Sequence, residues 1–146
     1  MKYNYKWDEE NGVAICTITD GDKVYTGKAF CHEDDWDMKS ERTGMVIANI
    51  RADIHYWVAQ REALVAQEKL LKDLLTSIRS SKKFNNKEYS YYAITQKNKF
   101  VKLELERVRL RIEMLRVDLY ELINKKEALY QRIRANRRKE KMDKED

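Results

Sequence analysis

Across residues 80–111 nine lysines and arginines stand among only three acids, interleaved with Phe84, Tyr89, Tyr91, Tyr92 and Phe100. Aromatic faces stack on nucleobases, while cationic side chains and Asn amides address phosphates and base edges. Phe84 with the neighbouring tyrosines offers the stacking surface, and Asn85 and Asn98 offer amides. Arg107, Arg109, Arg111 and Arg116 fall within two or three helical turns of one another, and the guanidinium fork matches a phosphate bidentately where an ammonium gives a point charge. These residue types suit an anionic ligand that carries rings. They also have a purely structural use: tyrosines close the tip of a helical hairpin, and arginines pair with Glu104, Glu106 or Glu113 at helical spacing.

Catalytic chemistry finds no comparable set. Cys31, His32, Asp34, Asp35 and Asp37 cluster, but their spacing matches no metal motif, and the acids suit the approach to a helix N-terminus. His32 and His55 are the only histidines, neither with an evident triad partner, and phosphate-loop and dinucleotide glycine patterns are absent. The expectation is a non-enzyme without catalytic residues, metal or cofactor. Cys16 and Cys31 form no zinc-type pair and no secreted disulfide framework, although a hairpin would allow them to face each other.

The elements that must position the ligand residues are long helices. Val101, Leu105, Val108, Ile112, Leu115, Leu119, Leu122, Lys126, Leu129 and Ile133 recur in steps of four and three, with Lys126 the one interruption. A matching line runs through Ile47, Ile50, Ile54, Trp57, Arg61, Leu64, Glu68, Leu71, Leu75 and Ile78. Arg61 and Glu68 on that line either fix register or mark a ligand cavity. Upstream, the β-branched residues 13–19, the Asp20, Gly21, Asp22 turn and residues 23–31 read as a β-hairpin, with Gly27 marking a bulge or a close backbone approach. Ser40 is the expected N-cap, although Gly44 can displace the helix start. The sequence therefore predicts an α+β fold over residues 1–137. It comprises an N-terminal antiparallel β-hairpin unit (1–41), a first helix (42–79), a connector (80–96) and a second helix (97–137), followed by a charged tail at 138–146. The helices are expected to pair as an antiparallel coiled-coil hairpin. So thin a scaffold leaves apolar surface wet as a monomer, which predicts an oligomer.

Charge is uneven. Residues 1–41 carry five lysines and ten acids, so the chain's net charge of +5 hides a basic helical body suited to anionic partners. No stretch approaches eighteen consecutive apolar residues, and the first residues lack the apolar core of a signal peptide, so a soluble, cytoplasmic protein without membrane association is expected.

Residues 27–35 (GKAFCHEDD), 40–44 (SERTG) and 47–54 (IANIRADI) resemble small phage proteins that antagonise the Thoeris defence system, the first type described as signal sponges. The resemblance is close over about 30 residues and elsewhere extends to the layout. It implies a homo-oligomer, commonly a hexamer built from dimers, in the cytoplasm of an infected bacterium. It also implies tight binding of cyclic ADP-ribose isomers without cleavage, which starves the defence effector of its activator. Some members hold cyclic oligonucleotides at separate sites. In that family an aromatic residue, an Asn and arginines near the helical junction contact the nucleotide. Phe84 and Arg109 are the implied equivalents here, with Asn85 or Asn98 as the amide, Arg107 or Arg116 assisting, and Arg51 as the recurring arginine of the first helix. The competing reading is a basic coiled-coil interaction protein that binds nucleic acid or another phage protein.

Overall fold

A computed structural model describes residues 1–31, 40–80 and 87–145. The order is β1 (Lys2–Asp8), β2 (Val13–Asp20), β3 (Lys23–Phe30), α1 (Glu41–Ser80) and α2 (Lys87–Glu145), an α+β architecture in which one antiparallel sheet precedes two helices. Two compact units emerge from the packing, Met1–Tyr56 with Met114–Asp146, and Trp57–Glu113.

The sheet has three strands in the order β1-β2-β3, not the two of the expected hairpin. The missing strand was readable: Tyr3, Tyr5 and Trp7 alternate with Lys2, Asn4 and Lys6, a period of two. An almost wholly exposed edge strand lacks the β-branched run that marks β2, so its local signal is the weaker one. Register places Tyr3, Tyr5 and Trp7 opposite Ile18, Cys16 and Ala14, on the face that α1 covers. Tyr3 donates its hydroxyl to Asp53 at 3.0 Å, tying β1 to α1. Burial and that carboxylate together push the phenol up to about 12. β2 and β3 join through a two-residue turn in which Gly21 has φ +63°, the positive value that a primed hairpin turn demands.

The first unit packs Ala14, Cys16, Ile18 and Ala29 of the sheet against Ile47, Ala48 and Ala52 of α1, with Leu119, Leu122 and Ile123 of α2 at the border. Gly27 makes this possible. Its strand pairs without a bulge, but a Cβ there would sit 2.1 Å from the Ala48 carbonyl oxygen. The close-approach reading of Gly27 is thus the one the structure shows. Cys16 lies opposite Gly27, and the Cys31 amide donates to the Gly12 carbonyl beyond the end of β3, so the two cysteines do not face each other across the hairpin. Burial pushes the Cys16 thiol up, away from the reactive thiolate. Two carbonyls of β3 are capped by α1: Arg51 donates to the Lys28 carbonyl at 2.7 Å, and His55 Nδ1 meets the Thr26 carbonyl at 2.7 Å. Capped carbonyls cannot recruit another strand.

α1 begins where expected. Ser40 Oγ accepts the Thr43 amide at 3.3 Å, and the Gly44 amide donates to the Ser40 carbonyl at 2.9 Å, so Gly44 does not displace the start. Ser40→Ala should cost about 1 kcal/mol, read as a lower urea midpoint at unchanged slope. At the far end Ser80 Oγ donates back to the Thr76 carbonyl at 3.0 Å, and Arg79 supplies a cation in the last turn. Leu71 and Ile78 of the expected line are buried, while Glu68 takes a 3.0 Å ion pair from Lys72. Hydrogen bonding from Lys72 holds that carboxyl below its ordinary value.

α2 departs from expectation at both ends: it starts at Lys87 rather than 97 and continues through the presumed tail to Glu145. At the start, Tyr, Ser and Thr have modest helix propensity, but the seam simply continues upstream through half-buried Tyr91, Ile94 and Thr95 to buried Asn98. Thr95 Oγ1 satisfies itself on the Tyr91 carbonyl at 2.7 Å. At the end, Lys, Arg, Glu and Met are all good helix formers, and Glu140 precedes Lys144 at the favourable four-residue spacing. Val101, Leu105, Val108, Ile112 and Leu115 of the seam are buried as its periodicity requires. No described helix is long and apolar enough to cross a membrane.

Candidate functional site

Phe84 and Asn85 lie outside the described residues, as do His32, Asp34, Asp35 and Asp37. The remaining ligand candidates are divided. Asn98, Arg107 and Arg109 belong to the Trp57–Glu113 unit, whereas Arg51 and Arg116 belong to the other. Asn98 is only 8 % exposed, and its Oδ1 meets no hydrogen-bond donor. Arg107 is occupied by Glu104 at 2.9 Å, the structural use weighed for it. Arg109 is exposed, and after Lys72 and Lys102 it adds a smaller electrostatic effect in favour of the Glu68 carboxylate. Asn98 and Arg109 are separated by about 16 Å of helix axis at 1.5 Å per residue, too far to grip one phosphate together. Arg116 is exposed on α2. Arg51 spends its guanidinium on the β3 carbonyl, so the helix–strand junction explains it without a ligand.

Of the aromatic cluster, Tyr89, Tyr92 and Phe100 are exposed. Tyr91 takes the structural role: the Arg79 guanidinium lies 5.0 Å from its ring centre and donates to its hydroxyl. The end of α1 is closed by this contact.

A roomier concavity lies elsewhere, in the first unit. Ser40 and Thr43 at the head of α1 and Leu122, Lys125, Lys126, Leu129 and Tyr130 of α2 line a pocket of about 310 Å³. A separate crevice of about 10 Å³, room for a single water, shares Ser40, Thr43, Lys126 and Tyr130 with it and is otherwise bounded by Trp7, Gly12, Ala29, Phe30, Cys31 and Gly44. The shape follows from the seam. Lys126 interrupts the apolar line, and past it the buried residue is Tyr130 (5 % exposed), while Leu129 turns out to 51 %. A polar step and a one-residue shift open a wall that an uninterrupted seam would close. Lys126 Nζ sits 5.4 Å from the Tyr130 ring centre, a cation–π contact that holds the ammonium at the pocket.

Two ammonium groups, two hydroxyls, an aliphatic wall and a phenol ring are the groups that an anion with an apolar or aromatic body would need. Among the described residues that line this pocket there is no carboxylate, histidine or cysteine, and Ser40 Oγ accepts the Thr43 amide. Among the described residues no group of three or more His, Cys, Asp or Glu side chains could hold a metal ion. Sequence reasoning missed Lys125 and Tyr130, and it noted Lys126 only as a blemish in the heptad. That blemish was the available signal. Compared with protein-family models, curated proteins and solved structures, the chain matches none.

Proposed function

We propose that the protein binds a cyclic ADP-ribose-type signalling nucleotide and holds it intact, acting as a sponge that keeps the signal from a bacterial defence effector during phage infection. The observation that carries this reading is the 310 Å³ pocket with Lys125 and Lys126 beside Tyr130. A pyrophosphate needs cations, and a nucleobase needs an apolar or aromatic wall. The resemblance of residues 27–54 to sponge proteins supplies the ligand class, the host cytoplasm and the homo-oligomer. Retention without turnover is part of what the resemblance implies, and the described lining residues offer the ligand cations, hydroxyls and an aromatic wall. Within this reading the two helices form an antiparallel coiled-coil hairpin. Arg79 meets Tyr91 and Lys102 acts on Glu68, two pairs that fit one antiparallel register.

Mixing the protein with cyclic ADP-ribose isomers, removing free ligand, heat-denaturing the complex and recovering intact nucleotide would establish sequestration. Steady conversion beyond stoichiometric amounts would sink it. Joint replacement Lys125→Ala and Lys126→Ala should weaken binding on the order of tenfold to a hundredfold in calorimetry, through loss of charged contacts to the pyrophosphate. Arg109→Ala should leave it nearly unchanged, and the opposite pattern would move the site to the Trp57–Glu113 unit. The exposed Arg109, Arg111 and Arg116 favour a second reading, polyanion binding along α2. Affinity that falls steeply with salt would mark that alternative.

A further inference from the structure

α2 carries a second heptad that the fold leaves uncovered. Phe100, Leu103, Leu110, Met114 and Val117 are all exposed, Phe100 and Leu110 at 62 % each. With Arg107 among them they step by three and four residues, the spacing of a coiled-coil seam. At about 100° per residue this stripe lies roughly 160° around the helix from the buried line of Val101, Leu105, Val108 and Ile112. A neighbour packed along one line cannot cover the opposite one. Single exposed apolar residues are ordinary, but an exposed heptad marks an interaction face.

We propose that two copies of the chain join through this stripe, with their α2 helices antiparallel. This deepens the homo-oligomeric part of the proposed function and rests on it, although it does not depend on the nucleotide. In the antiparallel direction Phe100 meets the partner's Val117, Leu103 meets the partner's Met114, and Arg107 lies against the partner's Leu110. Its guanidinium stays on Glu104, with which it already pairs at 2.9 Å. The flanks then set Glu104 beside the partner's Arg111, and Lys97 beside the partner's Asp118, each pair repeated by the twofold axis. Parallel helices would place Arg107 against the partner's Arg107 in the middle of the seam, two guanidinium charges where apolar packing is required. Each direction carries one like-charged flank, Glu106 near the partner's Glu113 if antiparallel, Glu113 near the partner's Asp118 if parallel. The core layer therefore decides for antiparallel.

Sedimentation equilibrium on the full chain at micromolar concentration tests the face. The protein should sediment as a dimer or a larger even-numbered assembly. The double substitution Phe100→Glu with Leu110→Glu should weaken association on the order of a hundredfold or more, with helicity by circular dichroism unchanged because both side chains are exposed. A monomeric parent, or association indifferent to that double substitution, overturns the proposal. Direction is read by charge reversal. Arg111→Glu should weaken association, and adding Glu104→Arg should restore it, since the two positions face each other across antiparallel helices. Under parallel pairing the same addition would set Glu104→Arg against the partner's Lys99 and weaken association further, which overturns the assigned direction. Cyclic ADP-ribose titrated into the same samples is a separate readout. Nucleotide binding by a monomer sinks the dimer and leaves the sponge standing, whereas a dimer that binds no nucleotide does the reverse.

Discussion

Gly27→Ala should cost about 3 kcal/mol or more and lower the melting temperature by at least roughly ten degrees, a disproportionate loss for one methyl group. In an ordinary strand the change would be neutral or helpful, because glycine is the more entropically costly residue. Here the added Cβ would lie 2.1 Å from the Ala48 oxygen, 2.3 Å from the Ala52 nitrogen and 2.9 Å from the Arg51 carbonyl carbon. All three are backbone atoms of α1, so no rotamer change relieves the clash and no truncation of a neighbouring side chain rescues it. The helix must move out by about an ångström, which loosens its packing on Cys16, Ile18 and Ala29 and lengthens the Arg51 and His55 bonds to the β3 edge. Because total stabilities are about 5–15 kcal/mol, such a loss is a large fraction of the whole. A melting temperature within two or three degrees of the parent would show that α1 does not approach β3 this closely.

Gly27 also illustrates what the sequence made legible. A glycine inside a strand pattern has few explanations, and close approach was among them, but which helix came close depended on pairing across the fold. The two apolar lines were legible because a heptad is a local signal repeated many times, and the packing of Ile47, Leu71, Ile78, Val101 and Ile112 follows from it. Element ends were less so. At residues 87–96 weak helix formers are held helical by the seam that continues through Tyr91 and Asn98, a tertiary effect that local propensity does not show. The candidate pocket was least legible. Lys125, Lys126 and Tyr130 come together with Ser40 and Thr43 across about eighty residues of chain. No spacing rule links them, and two of the arginines that the sequence offers have structural partners, Arg51 at the sheet edge and Arg107 in Glu104.

Asn98→Leu should stabilise the Trp57–Glu113 unit by about 1–3 kcal/mol. Asn98 occupies a seam position on α2, buried beside a line that continues through Val101 and Leu105. Its Oδ1 has lost water and gained no donor, so the side chain bears the desolvation cost of a polar atom without the compensating bond. Leucine fills nearly the same space and carries no such penalty. Asn98 also has a purpose other than stability: only its Oδ1 is buried without a partner here, so a shifted register that buried its Nδ2 as well would carry a second unpartnered atom. The variant should therefore show a higher urea midpoint at unchanged slope, together with a broader distribution of assemblies in sedimentation. A lower midpoint would mean that Oδ1 receives a hydrogen bond in solution, from water, a ligand or a second copy. Calorimetry with cyclic ADP-ribose then separates these sources: lost nucleotide binding in a destabilised variant returns Asn98 to the ligand, and retained binding assigns the residue to the assembly of the helices.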